Sequence, residues 1–205
     1  MSRHAITSMR KDLARIDEVT FIGDLHGDMA DWTRFRNEHK MTVQLGDLGC
    51  GFVQLPAPQM NHWFIRGNHD SPDVASQRPD YIGDYETIGR TFFVSGAASV
   101  DADRRHAGMS WWADEQLSEY KMRAATSMYS DARPEVVVSH CAPACIELRL
   151  NAAWRRSRTT FWFDSLLELH QPALWVFGHY HVAFDCTYNG TRFICVPQHG
   201  VWSLK

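Results

Sequence analysis

Five stretches of this chain read as β-strands, and each ends in a small residue followed by aspartate, asparagine or histidine. Glu18 to Ile22 runs into Gly23-Asp24-Leu25-His26-Gly27-Asp28, and Met41 to Leu45 into Gly46-Asp47-Leu48-Gly49. Trp63 to Ile65 leads to Gly67-Asn68-His69-Asp70. Glu135 to Ser139, with its consecutive valines, has the look of a strand buried on both faces and leads to His140-Cys141-Ala142-Pro143. Leu174 to Phe177 ends at Gly178-His179-Tyr180-His181. In α/β sheets, ligands bind outside the carboxyl ends of the strands. These tips are therefore expected to converge on one crevice.

The segments between them fit that plan. Asp28 to Lys40 reads as a helix with Asp28 as its N-cap, Ala113 to Tyr129 as a second, and Thr160 to His170 as a third capped by Thr159 or Thr160. Tyr81 to Ala98 reads as short antiparallel strands, and Val182 to Thr187 with Arg192 to Val196 as a hairpin turning at Asn189-Gly190. The alternation implies a mixed sheet served by helices. A length of 205 residues suits one domain spanning residues 1–205. At 44% hydrophobic and 22% charged, the composition excludes wholesale disorder, collagen and coiled coil. No apolar run approaches the roughly 20 residues of a membrane span, and the first residues lack a secretory pattern, so a cytoplasmic location is expected. A net charge of -3 advertises no polyanionic partner, although a local basic patch for nucleic acid stays open. The five cysteines lack CxxC spacing, which argues for reduced thiols over a structural zinc site.

The strand tips supply Asp24, His26, Asp47, Asn68, His69, Asp70, His140, His179 and His181. Asp24 with His26, and His179 with His181, are two apart, so in extended backbone each pair faces one side. Carboxylate, amide oxygen and imidazole together suit Mn, Fe or Zn better than Ca or Mg. One ion rarely uses seven ligands, whereas two ions sharing a carboxylate do. Such a pair clamps a phosphoryl group and activates water. Each short motif alone is noise; their joint occurrence, in order and each at a strand end, is the signal.

The series GDLHG, GDLG, GNHD, SHCAP and GHYH, from Gly23 to His181, resembles the calcineurin-like metallophosphoesterase superfamily, in particular its small bacterial and phage-type branch. The resemblance implies a four-layer α/β/β/α sandwich of two mixed sheets with a dimetal site at the strand ends. It implies Asp24, His26, Asp47 and His181 as ligands of one metal, and Asp47, Asn68, His140 and His179 as ligands of the other, Asp47 bridging. It implies two divalent ions, Mn foremost, with Fe, Zn or Ni as alternatives. A metal-bridging hydroxide would attack phosphorus, with His69 as general acid.

Two positions depart from the protein phosphatase branch, whose second block is GDxVDRG. Cys50 stands where that branch has the aspartate orienting the histidine, and Gly51 where it has the phosphate-binding arginine. The replacement clamp is expected from Arg104 or Arg105, with the cluster Arg155, Arg156 and Arg158 as the alternative, since a guanidinium holds phosphate in a two-pronged fork. Trp111 and Trp112 are expected in the core rather than stacked on a substrate ring. His106 is expected at the surface, His199 outside the site, and His4, His39, His62 and His170 in structural or exposed places. The expected activity is hydrolysis of a phosphomonoester or phosphodiester in a small molecule, nucleotide or phosphoprotein. Nuclease or cyclic-phosphodiester hydrolysis is the alternative, and a non-catalytic metal-binding scaffold the third reading.

Overall fold

The computed structural model describes residue 13, residues 16–151 and residues 157–204. His4, Arg155 and Arg156 lie outside the described residues. The first sheet has the order β10-β1-β2-β3, with β1 (Thr20–Ile22), β2 (Thr42–Gln44) and β3 (His62–Phe64) parallel and β10 (Val201–Ser203) antiparallel to β1. The second has the order β4-β5-β6-β7-β9-β8. In it β5 (Thr91–Val94), β6 (Val136–Ser139), β7 (Leu174–Phe177) and β9 (Thr191–Cys195) run parallel. The edge strands β4 (Tyr85–Ile88) and β8 (Phe184–Tyr188) run antiparallel to their neighbours.

The alternation of side chains along each strand sorts them into layers. Phe93, Val136, Val138, Leu174, Val176 and Ile194 face Phe21, Val43 and Trp63 of the other sheet in one dry cluster. Their neighbours Phe92, Val94, Val137, Trp175, Phe177 and Phe193 point the other way. They pack on α3 (Glu119–Ala132), α4 (Ala144–Glu147) and α5 (Arg158–Leu169). Ile22 and Phe64, on the outer face of the first sheet, meet Trp32 and Phe35 of α1 (Met29–Glu38) and Ala75 of α2 (Pro72–Ser76). The result is the four-layer α/β/β/α sandwich of two mixed sheets. Burying each large apolar side chain contributes about 1.5–3 kcal/mol before entropy is counted. Among the largest, Trp175 also satisfies its indole N–H, which donates to Ser139 Oγ at 2.7 Å.

Element ends follow local chemistry. Asp28 caps α1, accepting from the backbone N–H groups of Ala30 and Asp31 at 3.0 Å. The helix expected from Ala113 begins only at Glu119, because Ser118 is its cap, and it ends where Arg133 turns left-handed at φ 44°. The third expected helix is capped by Ser157, not by Thr159 or Thr160. Ser157 and Thr160 form a reciprocal capping box, and Thr159 instead bonds Gln116 Oε1 at 3.1 Å. The hairpin turn holds Asn189 and Gly190 at φ 48° and 86°, the backbone of a type I′ turn. No described helix is long and apolar enough to cross a membrane, and the cysteines are all free.

His62 is structural, as expected. It lies opposite Thr42 in the parallel register, with Nδ1 3.0 Å from Thr42 Oγ1. Burial, reinforced by the charges of Arg36 and His39, lowers its pKa to about 4. The unfolded chain then takes up this proton more readily, at about 6.5. The stabilisation is therefore full above that value and is lost as the pH falls toward 4, by about 3 kcal/mol in all. Urea unfolding between pH 7 and 4.5 should show a shallower loss of stability in His62→Gln than in the native chain. Equal slopes would remove His62 from the account.

Candidate metal centre

The site straddles both sheets at the carboxyl ends of β1, β2, β3, β6 and β7. His140, after β6, reaches across to the first sheet, with Nδ1 2.7 Å from the Leu45 carbonyl oxygen. A carbonyl only accepts, so Nδ1 carries a proton, and Nε2 is the atom left to face a metal once its own proton is displaced. Nε2 lies 3.1 Å from Asn68 Oδ1 and 3.5 Å from Asp47 Oδ2. Asp47 is the hub. Its Oδ2 also lies 3.9 Å from His26 Nε2 and 4.0 Å from His69 Nε2, while its Oδ1 accepts the His69 backbone N–H at 2.8 Å. On the other flank Asp24 Oδ2 is 3.1 Å from His181 Nε2 and 3.8 Å from His26 Nε2. The two imidazoles face each other, Nε2 to Nε2, at 3.0 Å. Asp24 Oδ1 accepts the His179 backbone N–H at 2.9 Å.

Candidate ligand atoms thus gather in overlapping groups: Asp24 with His26 and His181, His26 with Asp47 and His69, and Asp47 with His140 and His179. Asp24, Asp47, Asn68, His140 and His179 are buried, whereas His26, His69 and His181 line the open side. All seven expected ligands meet here.

The backbone bears the cost of this convergence. His26, Asp47, His179 and His181 all hold positive φ, between 46° and 68°. Left-handed backbone is strained for such residues and persists where surrounding structure enforces it, commonly at functional sites. Glycines make the cradle. A Cβ on Gly67 would sit 2.1 Å from Asp47 Oδ1 and 2.6 Å from His140 Nε2, and one on Gly178 2.4 Å from Asp24 Oδ1.

The electrostatics fit divalent cations. Burial opposes charge on His140, yet the adjacent Asp47 carboxylate outweighs it and lifts the pKa to about 9. Burial likewise opposes ionisation of Asp47, but His140, His69 and His26 hold it well below the carboxylate range. A buried carboxylate ringed by ring nitrogens demands positive charge at its centre. Protons supply that charge without an ion, and a metal displaces them. Imidazole, carboxylate and one amide oxygen form a donor set of intermediate hardness.

Asp70 has an architectural part. Its buried carboxylate accepts four backbone N–H groups, from Leu48, Gly49, Cys50 and Gly67, at 2.8–3.2 Å. It staples the GDLG block to the GNHD block. Cys50, with burial raising its thiol pKa, is inert beside it.

Of the two candidate arginines only one reaches the site. Arg105 Nη2 contacts His69 Nε2, and its other nitrogens meet Asp101 Oδ1 at 2.9 Å, the Ser110 carbonyl at 3.3 Å and Ser99 Oγ at 3.4 Å. Arg104 lies exposed in a 3-10 turn, Ala102–Arg104. Arg158 donates to the Leu117 carbonyl at 2.9 Å. The tryptophan pair is not in the core. Both rings are half-buried, and Trp112 meets the exposed Phe52 edge-on at 5.4 Å between centroids. The Phe52 loop adjoins the site, since Val53 packs against Gly27 and Gly51 against Ser71. His106 is exposed, and His199 binds Asp31 Oδ2 at 2.9 Å outside the centre.

Residues 18–183 match the family described as calcineurin-like phosphoesterase, and the chain belongs to that family. This places it among phosphoester hydrolases that employ divalent metal ions. No curated protein matches the sequence. Among solved structures, TT1561 of Thermus thermophilus is 10% identical, with 88% of this chain and 89% of that chain covered and a TM-score of 0.54; the two share a fold. The phosphopantetheinyl hydrolase PptH from Mycobacterium tuberculosis is 14% identical, with 89% and 90% covered and a TM-score of 0.48. A predicted phosphoesterase from Streptococcus pneumoniae is 13% identical, with 88% and 71% covered and a TM-score of 0.39.

Proposed function

We propose that the chain hydrolyses phosphoesters at a centre of two divalent ions, Mn foremost. Asp24, His26, Asp47 and His181 hold one ion, and Asp47, Asn68, His140 and His179 the other. The observation that supports this reading is Asp47, one buried carboxylate oxygen with the Nε2 atoms of three histidines from separate chain segments within 4.0 Å. When bound, the ions supply the acidity that turns water into a nucleophile and the charge that neutralises phosphoryl oxygens.

The chain's own groups do the rest. Arg105, which contacts His69, takes the part that Gly51 has no side chain to play, and its fork binds the non-bridging oxygens of the phosphoryl group. His69 donates a proton to the leaving oxygen. A guanidinium has only donors, so while Arg105 contacts His69 Nε2 that nitrogen is an acceptor and the neutral ring carries its proton on Nδ1. Arg105 must turn toward phosphate before Nε2 can take up the proton it delivers. Docking of the phosphoryl group thereby frees the acid.

Arg105→Ala should lower kcat/KM by about 1–3 kcal/mol, with metal content intact. Arg104→Ala should stay near native values. Equal effects in the two variants would move the clamp elsewhere.

The exposed Phe52 ring against Trp112, beside the open side of the centre, favours substrates that carry a planar ring able to stack, nucleotides among them. The test is a metal-dependent panel of p-nitrophenyl phosphate, its bis-ester, nucleotides and a phosphopeptide. Metal-stimulated hydrolysis of at least one ester supports the reading. Bound metal without turnover on any would leave the scaffold reading instead.

A further inference from the structure

Behind the centre lies a polar chain that no strand-tip motif contains. Ser99 is half-buried in the loop after β5, and Glu115 is buried between Trp112 and α3. Both oxygens of the Glu115 carboxylate are taken by Ser99. Oε1 accepts its backbone N–H at 2.6 Å and Oε2 its hydroxyl proton at 2.6 Å. Glu115 is itself held in place, because its backbone carbonyl accepts from Arg66 Nη1 at 2.7 Å. Arg66 is buried and paired with Asp84 at 3.1 Å.

A hydroxyl has one proton and two lone pairs. With its proton committed to Glu115, Ser99 Oγ can only accept from its other neighbours. It accepts from Asn68 Nδ2 at 3.0 Å and from Arg105 Nη1 at 3.4 Å. An asparagine amide has two distinct ends. With its NH₂ bound to Ser99, Asn68 must present Oδ1 toward His140 Nε2, the side on which a metal would sit. The opposite orientation would aim two N–H donors at a cation and leave an amide oxygen facing a lone pair.

We infer that Ser99 and Glu115 are positioning residues which fix the Asn68 amide with its oxygen toward the metal, and that the same hydroxyl steadies Arg105 beside His69. The inference rests on the reading of Asn68 as a ligand given above. It makes a prediction that mere packing does not. Glu115→Gln is nearly isosteric, yet its amide can donate to Ser99 Oγ. The hydroxyl proton is then released toward Asn68, and the Asn68 amide turns its NH₂ toward the cavity. Outer partners of metal ligands typically control about 10–100-fold in affinity.

The test is titration of the metal-free full chain with Mn²⁺ by calorimetry, with thermal unfolding as the control for folding. The native chain should bind two equivalents, and Asn68→Ala should weaken one of them. If the native chain binds none, or Asn68→Ala changes nothing, the ligand assignment fails first. With that established, Glu115→Gln and Ser99→Ala should each weaken the Asn68 ion about 10–100-fold and leave the other ion within about twofold. Ser99→Thr, which keeps the hydroxyl, should restore native binding. Native affinity for both ions in Glu115→Gln and Ser99→Ala would overturn the inference. Equal weakening of both ions, unrescued by threonine, would also overturn it, since that marks general loosening.

Discussion

Asp47→Asn is expected to lower turnover roughly a thousandfold and to weaken both ions together. The variant isolates charge. Asparagine tolerates the left-handed backbone that Asp47 adopts at φ 56°, and its amide oxygen can still accept the His69 backbone N–H. What it lacks is the negative charge around which His26, His69 and His140 are arranged. Without that charge, protonated His140 is no longer favoured, and two cations lose their common counter-charge. Elemental analysis and initial rates on p-nitrophenyl phosphate measure both effects. Two full equivalents of metal with near-native turnover would remove Asp47 from the bridge.

His69→Asn should separate substrates by their leaving groups. Esters of simple alcohols need a proton on the departing oxygen and should lose about 10²–10⁴-fold, whereas nitrophenyl esters, whose leaving group has a low pKa, should lose little. A pH dependence accompanies this. Burial holds the His69 pKa below its usual value, and Arg105 adds to the lowering, against the pull of Asp47. The protonated acid is therefore lost as the pH rises through a value below the ordinary histidine range. Arg105→Ala removes a nearby positive charge and should move that limb of kcat/KM on alkyl esters to higher pH. An equal loss on both ester types in His69→Asn would reassign His69 to positioning.

The convergence of the strand tips was legible because each tip names its chemistry in two or three residues, and parallel strands bring their carboxyl ends to one side. The Asp28 cap and the Asn189-Gly190 turn were legible for a related reason: both are local, set by one side chain or one dihedral. What stayed hidden depends on distant partners. The strand β10 is three residues long and pairs Trp202 with Phe21, so nothing near Val201 marks it. Ser157 does not stand out from Thr159 and Thr160 in the sequence, because a capping box shows only when both halves face each other. Trp112 was expected inside by its hydrophobicity, yet its partner Phe52 is itself at the surface. Asp70 stood among the tips without a part, since its work is done on backbone N–H groups that carry no sequence signature. Cys50 and Gly51 marked two positions without the phosphatase side chains, but only the folded loop puts Arg105, and not Arg104, beside His69.

Two metal ions are proposed to flank the Asp47 carboxylate. Crystals of the native chain grown with Mn²⁺ and measured at the manganese absorption edge test this directly. Two anomalous peaks about 3.5–4 Å apart are expected, one on each side of Asp47. One peak is expected within bonding reach of Asp24, His26 and His181, the other within reach of Asn68, His140 and His179. A single peak, or two peaks that do not share Asp47, would contradict the proposal.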